Sequence, residues 1–214
     1  MLRRQIAVGD IHGCFDLLKA LVDHVIAFDP GGDMLVFLGD YIDRGRMSRE
    51  VVAYVSALRE NYPDRVVLLK GNHEELALHA LAETGQDRER ALWRLNAGDD
   101  TISSYGTIDE ARDVLLPFIE SLELSYETDT HLFVHGGIPS GKELHTASLE
   151  DLLWDRSLSY QGEKILVVGH TPKSRVARFN NGKIICIDTG AYMTGILSAY
   201  DVINDTVYTA KSGK

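Results

Sequence analysis

Two hydrophobic patterns alternate along this chain. Runs of four or five mostly apolar residues occur as QIAV, MLVFL, VVLL, HLFV and ILVV. Short runs of this kind, rich in β-branched residues and bounded by glycine, predict buried strands. Between the first three runs, apolar residues recur at helical spacing, which predicts amphipathic helices at about 15–28 and about 49–61. The first 70 residues therefore predict a βαβαβ unit with a parallel sheet.

The rest of the chain changes character twice. Residues 75–123 have a helical pattern, which predicts a helical insertion. Short strands are predicted at 176–179, 184–187, 196–200 and 207–210, with Asn181-Gly182 and Asn204-Asp205 as hairpin turns. A chain of 214 residues is long enough for one sizeable core. We therefore expect a single domain spanning residues 1–214.

Each of the five apolar runs ends in a short polar motif that contains glycine. These motifs are GDIHG (9–13), GDYIDRG (39–45), GNHE (71–74), HGG (135–137) and GHTP (169–172). Glycine allows the backbone to turn tightly after a strand, so that the next side chain projects from the strand end. The pattern predicts that these polar side chains meet at one edge of a sheet. The segment 75–123 contains no such motif and is expected to cover that edge.

The motifs supply oxygen and imidazole ligands. Asp10 and His12 can bind one ion from the same turn, and the two oxygens of Asp40 could bridge two ions, which lie ~3.5–4 Å apart in two-metal sites. Asn72 offers an amide oxygen, and His135 and His170 offer imidazole nitrogens. Such ligands suit Mn²⁺, Fe or Zn²⁺. Each residue alone would more often be a turn residue or a core histidine; together they predict a two-metal hydrolytic centre.

His73 is predicted to take part in the chemistry without binding metal. Because Asn72 faces the metals, the next side chain points elsewhere, from where a histidine can donate a proton to a leaving alkoxide. Asp43 is the candidate carboxylate that fixes its tautomer, although Asp43 and Arg44 could instead form an internal salt bridge. Glu74 could cap the following helix or bond to nearby groups, and we assign it no catalytic role.

Two arginines are candidates for binding phosphate. A guanidinium presents a rigid fork of donors that matches phosphate oxygens. Arg44 directly follows the second motif, which favours this role. Arg156 stands in the sequence LLWDR without a neighbouring motif, and on this basis alone it would be an ordinary surface arginine.

Composition narrows the class of protein. A net charge of −10 argues against a general binder of nucleic-acid duplexes, which needs a basic surface. We expect no membrane association, because no apolar run approaches the ~20 residues of a membrane span. The apolar stretch near the start of the chain is too short for a secretory signal peptide. The two cysteines, Cys14 and Cys186, are expected to be reduced residues that pack in the interior. We therefore expect a cytoplasmic monomer.

The motifs, in this order, resemble those of the PPP-family serine/threonine phosphatases of the calcineurin-like metallophosphoesterase superfamily, especially the small bacterial and phage members. GDIHG, GDYIDRG, GNHE and HGG carry the resemblance, which spans residues 9 to about 190. NAGDDTISSYG (96–106) is similar to a stretch of the bacterial members, and LLWDR resembles the segment that carries their second phosphate-binding arginine.

The resemblance implies a fold and a set of roles. The fold would be αββα, a β-sandwich of two mixed sheets flanked by helices with a dinuclear metal site at the strand ends. His73 would be the general acid and Asp43 its orienting partner, and Arg44 and Arg156 would bind the phosphoryl oxygens. The first metal would be held by Asp10, His12 and Asp40, and the second by Asp40, Asn72, His135 and His170.

The implied function is a phosphoserine and phosphothreonine protein phosphatase with two divalent ions, Mn²⁺ first and Fe or Zn²⁺ as alternatives. Hydrolysis of the phosphomonoester would occur in a single step, by a hydroxide that bridges the metals, on a phosphorylated protein or peptide. Three alternatives stay open: a dinucleoside polyphosphate hydrolase, a small-molecule phosphomonoesterase and a non-catalytic phosphopeptide-binding module. Asp43 and Gly136 favour the protein phosphatases over the diadenosine tetraphosphatases, and the complete ligand set disfavours a non-catalytic module.

Overall fold

The structure is a computed structural model that describes residues 2–213. Its first sheet contains β1 (Arg4–Val8), β2 (Asp33–Phe37), β3 (Val66–Leu68), β9 (Ile196–Asp201) and β10 (Thr206–Lys211) in the order β10-β9-β1-β2-β3. β1, β2 and β3 are parallel, whereas β9 is antiparallel to β1, and β10 is antiparallel to β9. The predicted βαβαβ unit is confirmed, and two strands from the end of the chain complete its sheet.

The second sheet is built from the later part of the chain. It contains β4 (Ser125–Glu127), β5 (His131–Val134), β6 (Ile165–Val168), β7 (Ala177–Phe179) and β8 (Ile184–Cys186) in the order β4-β5-β6-β8-β7. The three central strands are parallel, and the two edge strands pair antiparallel to their neighbours. Both sheets are therefore mixed, as the family resemblance implies.

The two sheets pack face to face. Successive side chains of a strand point to opposite faces, so Ala7 of β1 packs between the sheets while Ile6 and Val8 pack against helices. The layer between the sheets joins Val36 and Val67 of the first sheet to the second sheet, chiefly through Phe133, Val167 and Ile185. With helices on both outer faces, the layers are αββα, which confirms the expected fold class.

Eight α-helices lie in the described residues. They are α1 (Phe15–Lys19), α2 (Ser48–Asn61), α3 (Asn72–Leu81), α4 (Asp87–Leu95), α5 (Gly98–Tyr105), α6 (Ile108–Glu120), α7 (Leu149–Trp154) and α8 (Ala191–Thr194). Apolar residues of α1, α2, α3 and α6 cover the outer face of the first sheet. Leu152 and Leu153 of α7 are buried, and Leu152 packs on the second sheet. The helical pattern of 75–123 corresponds to most of α3 and to α4, α5 and α6.

The structure differs from the expectations in two details. The helix predicted at about 15–28 begins as α1 and continues as a π-helical segment, Ala20–Ile26, so its hydrogen-bond pattern widens after one turn. β4 was not predicted, because its sequence Ser-Tyr-Glu has neither an apolar run nor a buried face. No helix between residues 2 and 213 is long and apolar enough to cross a membrane.

Candidate active site

Residues that follow five strands meet at one edge of the two sheets, and Asp40 lies at the centre of this cluster. Its Oδ2 atom lies 3.2 Å from Nε2 of His12, and its Oδ1 atom lies 3.4 Å from Nε2 of His135. The two carboxylate oxygens therefore face histidines from different sheets. The residues delivered by the strand ends are Asp10, His12, Asp40, Asn72, His135 and His170, and all six are buried.

The cluster contains two overlapping groups of potential metal ligands. One consists of His12, Asp40 and His73, the other of Asp40, His135 and His170, and the ligand atoms within each group lie within 4.8 Å of one another. The shared Asp40 is what a carboxylate that bridges two ions requires. Oδ1 of Asn72 lies 2.9 Å from Nε2 of His135, which brings Asn72 to the second group.

Asp10 belongs to neither group but lies at the same edge. Its carboxylate oxygens accept a hydrogen bond from the backbone N–H of His170, at 3.0 and 3.1 Å. This contact crosses from the end of β1 to the end of β6. It holds the two sheets together at the cluster.

Two histidines are held with a defined nitrogen toward the cluster. Nδ1 of His12 lies 2.8 Å from the carbonyl oxygen of Ile42, and Nδ1 of His135 lies 2.8 Å from the carbonyl oxygen of Leu38. A carbonyl oxygen only accepts hydrogen bonds, so Nδ1 is the protonated nitrogen in both rings. In the neutral form of each ring, Nε2 then carries the lone pair that a metal ligand needs.

Glu74 organises the turn that carries Asp40. Its buried carboxylate accepts hydrogen bonds from the backbone N–H groups of Asp40 and Tyr41 at 2.8 Å, Gly71 at 2.9 Å and Ile42 at 3.3 Å. Gly71 allows this close approach, since a Cβ atom there would lie 2.1 Å from Oδ1 of Asp40. The sequence had suggested a capping or bonding role for Glu74, and the structure shows that it joins the second and third motifs.

Several residues of the site have left-handed backbone conformations. A positive φ is uncommon outside glycine and persists when surrounding contacts enforce it. Backbone N–H bonds to Glu74 surround Asp40, and the N–H of Asp43 donates to Ser48 Oγ and Thr101 Oγ1 at 3.2 and 2.8 Å. The residues concerned are His12 (φ 47°), Asp40 (53°), Asp43 (69°), Arg44 (68°) and His170 (60°).

The electrostatics at Asp40 and His170 favour the protonation states that bind metal. Burial raises the pKa of Asp40, but the neighbouring histidines, His135 first, outweigh it and hold that pKa well below its usual range. Burial, followed by the proximity of His135, lowers the pKa of His170 to about 3. At neutral pH the carboxylate is therefore ionised and the imidazole is neutral, the forms that coordinate metal ions.

One buried atom supports this interpretation directly. Nε2 of His170 has no hydrogen-bond partner among residues 2–213, although unpaired buried polar atoms are costly. Its lone pair lies in a cluster of carboxylate, amide and imidazole donors, the set preferred by borderline divalent ions. The residues present therefore fit a dinuclear metal site.

His73 and Asp43 form a buried pair beside the cluster. Nδ1 of His73 lies 2.7 Å from Oδ2 of Asp43, and both side chains are almost completely buried. The imidazole rings of His73 and His12 lie 4.7 Å apart between centroids. Because Asp43 occupies Nδ1, Nε2 is the nitrogen of His73 left for other partners. In the described residues, Asp43 and Arg44 form no salt bridge, which removes the alternative considered for Asp43.

The two candidate arginines both reach the cluster, although they come from different loops. Nη1 of Arg44 lies 2.8 Å from Nε2 of His12, and its guanidinium lies 4.7 Å from the ring centroid of Tyr192. Nη1 of Arg156 donates to the carbonyl oxygen of His170 at 2.6 Å. The end of α7, just before Arg156, packs on Gly136, where a Cβ would lie 2.7 Å from the backbone of Leu153. Arg156 is therefore next to the cluster.

Some residues of the site were not predicted from the sequence. Asp188 is buried, and after burial its charge is the main cause that raises the pKa of Asp10. The apolar run Ile-Ile-Cys-Ile before Asp188 is the same signal that marked the other strand ends, so it was available. Trp93 and Thr101 contact Asp43 from α4 and α5, where only the likeness of residues 96–106 to bacterial members gave a hint. Nothing in the sequence pointed to Tyr192, whose ring contacts Arg44.

The chain is similar to proteins of a known family. A family model described as calcineurin-like phosphoesterase matches residues 4–196. The chain is 34% identical to serine/threonine-protein phosphatase 1 of Salmonella typhimurium, over 89% of this chain and 88% of that protein. It is also 36% identical to the symmetrical bis(5'-nucleosyl)-tetraphosphatase of Pseudomonas fluorescens, over 62% of this chain and 42% of that protein.

A solved structure agrees in fold. The cold-active protein-tyrosine phosphatase of a Shewanella species matches 99% of this chain and 81% of that chain, with a TM-score of 0.69 and 20% sequence identity. A relationship this distant in sequence supports the fold alone. The family match and the similar fold agree with the cluster of residues found at the strand ends. The chain belongs to the calcineurin-like phosphoesterase family, and it is a hydrolase.

Proposed function

We propose that this protein hydrolyses phosphoserine and phosphothreonine in proteins. The observation that carries the proposal is the buried pair of His73 and Asp43, joined at 2.7 Å beside the ligand cluster. Serine and threonine alkoxides are poor leaving groups, so their release depends on a positioned proton donor. The similarity to a serine/threonine phosphatase over nearly the full length of both chains supports the same substrate class.

The proposed metal ligands are those implied by the sequence. Asp10, His12 and Asp40 would hold one ion, and Asp40, Asn72, His135 and His170 would hold the other, with Mn²⁺ as the first candidate and Fe or Zn²⁺ as alternatives. When bound, two such ions polarise the phosphoryl group and lower the pKa of a bound water from about 16 towards neutrality.

The other side chains would bind and protonate the substrate. Arg44 and Arg156 reach the cluster from opposite sheets, and their guanidinium groups would hold the phosphoryl oxygens from two sides. His73 would donate the proton on its Nε2 atom to the departing serine or threonine oxygen, while Asp43 holds the proton on Nδ1. No side-chain nucleophile is involved, so no phosphoenzyme is expected.

A dinucleoside tetraphosphate is the second candidate substrate. The observation that favours it is the 36% identity to a symmetrical bis(5'-nucleosyl)-tetraphosphatase, which covers 62% of this chain. The leaving group of that reaction is a nucleoside diphosphate, which leaves more readily than an alkoxide, so the reaction depends less on a proton donor. A buried donor pair such as His73 and Asp43 is thus better explained by a phosphomonoester of an alcohol.

Direct competition between substrates tests the proposal. The Mn²⁺-loaded protein would be given phosphoserine and phosphothreonine peptides, phosphotyrosine peptide, diadenosine tetraphosphate and a sugar phosphate, with kcat/KM measured for each. Asp40→Asn, prepared in parallel, controls for contaminating phosphatases. We expect the highest kcat/KM for the phosphoserine and phosphothreonine peptides. Preferred cleavage of diadenosine tetraphosphate to two nucleoside diphosphates would replace the first candidate by the second.

A further inference from the structure

The Asp43 carboxylate has two hydrogen-bond donors besides His73. Thr101 Oγ1 donates to Oδ1 of Asp43 at 2.6 Å. The indole Nε1 of Trp93 lies 3.2 Å from Oδ1 and 3.1 Å from Oδ2, so its N–H is shared between the two oxygens. All of these side chains are buried, with Trp93 1% exposed and Asp43 and Thr101 fully buried. The Asp43 carboxylate therefore contacts three side-chain partners, His73, Trp93 and Thr101.

The chemistry of these donors fixes the carboxylate in one orientation. An indole N–H can only donate, and the Thr101 hydroxyl uses its single proton on Asp43 while it accepts from the backbone N–H of Asp43 at 2.8 Å. Rotation of the carboxylate would break both contacts and leave buried donors unpaired, which costs about 1–3 kcal/mol for each. Oδ2 is thereby held towards Nδ1 of His73.

Both donors come from the helical segment between β3 and β4, whose function the sequence left open. Trp93 lies on α4 and Thr101 on α5, far in sequence from the turn that they contact. The indole packs on the first residue of α5, since a Cβ atom at Gly98 would lie 2.6 Å from Cδ2 of Trp93. α4 and α5 are thus packed together so that one indole and one hydroxyl reach the same carboxylate.

We propose that Trp93 and Thr101 are positioning residues for the proton donor of this site. They hold Asp43 so that His73 keeps its Nδ1 proton and presents Nε2 to the leaving oxygen. On this view α4 and α5 serve to build the Asp43–His73 pair, and they act on the leaving-group step rather than on phosphate or metal binding. The inference rests on the proposed function, because it requires His73 to be the general acid.

Leaving-group dependence tests the proposal. Trp93→Phe removes the indole N–H and keeps an aromatic ring, and Thr101→Val removes the hydroxyl and keeps the shape. For each variant, kcat would be measured with phenyl phosphate, whose leaving group needs a proton, and with p-nitrophenyl phosphate, which needs it much less. We expect a loss of about 10–100-fold with phenyl phosphate, the size of effect found when a partner that orients a metal-binding histidine is removed. With p-nitrophenyl phosphate the loss should be below about threefold.

The chain offers matched controls on the same helices. Ser103→Ala removes a hydroxyl of α5 that bonds only to the helix backbone, and Leu92→Ala truncates an exposed side chain of α4. Neither should change the ratio of the two kcat values. Thr101→Ser keeps the hydroxyl and should restore the wild-type ratio. Metal content and the midpoint of thermal unfolding would be measured for every variant, so that a folding defect is recognised.

Proton NMR can detect the contact between His73 and Asp43 without a substrate. In the zinc-loaded protein, the Nδ1 proton of His73 should give a downfield, slowly exchanging resonance, assigned by its loss in His73→Asn. We expect this resonance to broaden or move upfield in Trp93→Phe and Thr101→Val but not in the two controls. If it stays unchanged in folded, metal-loaded variants, Trp93 and Thr101 do not position the pair.

His73→Asn separates the two possible failures. If it lowers kcat equally for both phenyl substrates, His73 is not the proton donor and the proposed mechanism fails. If His73→Asn is selective but Trp93→Phe and Thr101→Val lower both kcat values equally or neither, only the present inference is wrong. In the double variant of His73→Asn with Trp93→Phe, we expect no further selective loss, because both changes act through one group.

Discussion

The two sheets contribute unequally to the active site. The loops of the first sheet carry the acidic residues Asp10, Asp40 and Asp43, and the turn of Asp40 is fixed by four backbone N–H bonds to Glu74. The loops after β5 and β6 contribute neutral imidazoles, and both are oriented by first-sheet atoms. His135 Nδ1 donates to the carbonyl oxygen of Leu38, and the His170 backbone N–H donates to Asp10.

This difference shows where the site is pre-organised. The first sheet holds the carboxylates of the proposed metal ligands, Asp10 and Asp40, and most of the residues with positive φ. The second sheet completes the ligand set but takes its positions from the first. A change on the first-sheet side should therefore disturb both halves of the site, whereas a change on the second-sheet side should stay local.

Asp40 and His170 give the largest contrast between the two sides. Asp40→Asn should lower kcat/KM on the order of 10⁴-fold or more, since two ions each stabilise the transition state by several kcal/mol. Elemental analysis should find both ions lost in Asp40→Asn and one lost in His170→Ala. Chelation of the wild type should abolish activity, and Mn²⁺ should restore it. Retention of two ions by Asp40→Asn would contradict the bridging position of Asp40.

A change at His73 tests whether the first-sheet side supplies the general acid in addition to metal ligands. His73→Asn should lower kcat by about 10²–10⁴-fold on phosphoserine peptide, the usual range for loss of a general acid. Both ions should remain, because Nδ1 of His73 is bonded to Asp43 and Asn72 keeps its place. The measurement is steady-state kinetics beside metal analysis. Loss of an ion in His73→Asn would assign His73 to the metal ligands instead.

Variants of Arg44 and Arg156 would show how much the first-sheet loops and the second-sheet loops each contribute to phosphate binding. Arg44→Ala should lower kcat by about 10²-fold and weaken inhibition by inorganic phosphate, because the charge it meets grows in the transition state. Arg44→Lys should recover only part of this loss, since a point charge lacks the two-pronged contact. Arg156→Ala should give the same pattern at about a tenth of the size.

Metal content and phosphate inhibition would be measured together in these arginine variants. Both ions should stay bound in all of them. If Arg156→Ala binds inorganic phosphate like the wild type, Arg156 is removed from the site, and phosphate binding belongs to the first-sheet side alone.

Glu74 should have the smallest effect on turnover and a clear effect on stability. Glu74→Gln replaces one accepting oxygen by an amide group that cannot accept, so the free energy of unfolding should fall by about 3 kcal/mol, as for other broken buried charged contacts. The loss of kcat should be below about tenfold while the protein is folded. Glu75→Gln is the matched control, because Glu75 pairs with the side chains of Lys70 and His79 instead of the backbone of the turn, and we expect a smaller loss of stability from it.

Denaturant unfolding with and without Mn²⁺ would measure both variants. An equal, small change in the two midpoints would show that Glu74 does not hold the second and third motifs together.

The strand ends were predictable because their signals are local. An apolar run followed by glycine and a polar residue needs only a few neighbouring positions, and it predicted that Asp40, His135 and His170 meet. Short apolar strands must be buried, and parallel strands end at the same edge, so their following residues have little choice of position. The same reasoning applied to the run before Asp188 would have added this residue.

Contacts between distant residues were not predictable. Trp93 and Thr101 lie 50 and 58 positions after Asp43, and nothing in the helical pattern of α4 and α5 indicates which polar atoms turn inwards. Glu74 presented a similar problem, because its acceptors are satisfied by backbone N–H groups that every residue has. β4 is short and half exposed, so no hydrophobic period marks it.

The strand order of the first sheet has a consequence during protein synthesis. β1 is made first, but one of its two neighbours is β9, which begins at Ile196. While β2 and β3 can pair as soon as they emerge, the other side of β1 presents unpaired N–H and C=O groups to the surroundings. At about 5–20 residues per second, this edge stays open for roughly 10–40 s. Aggregation of the nascent chain, and protection by chaperones, should therefore depend on how quickly residues 196–211 leave the ribosome.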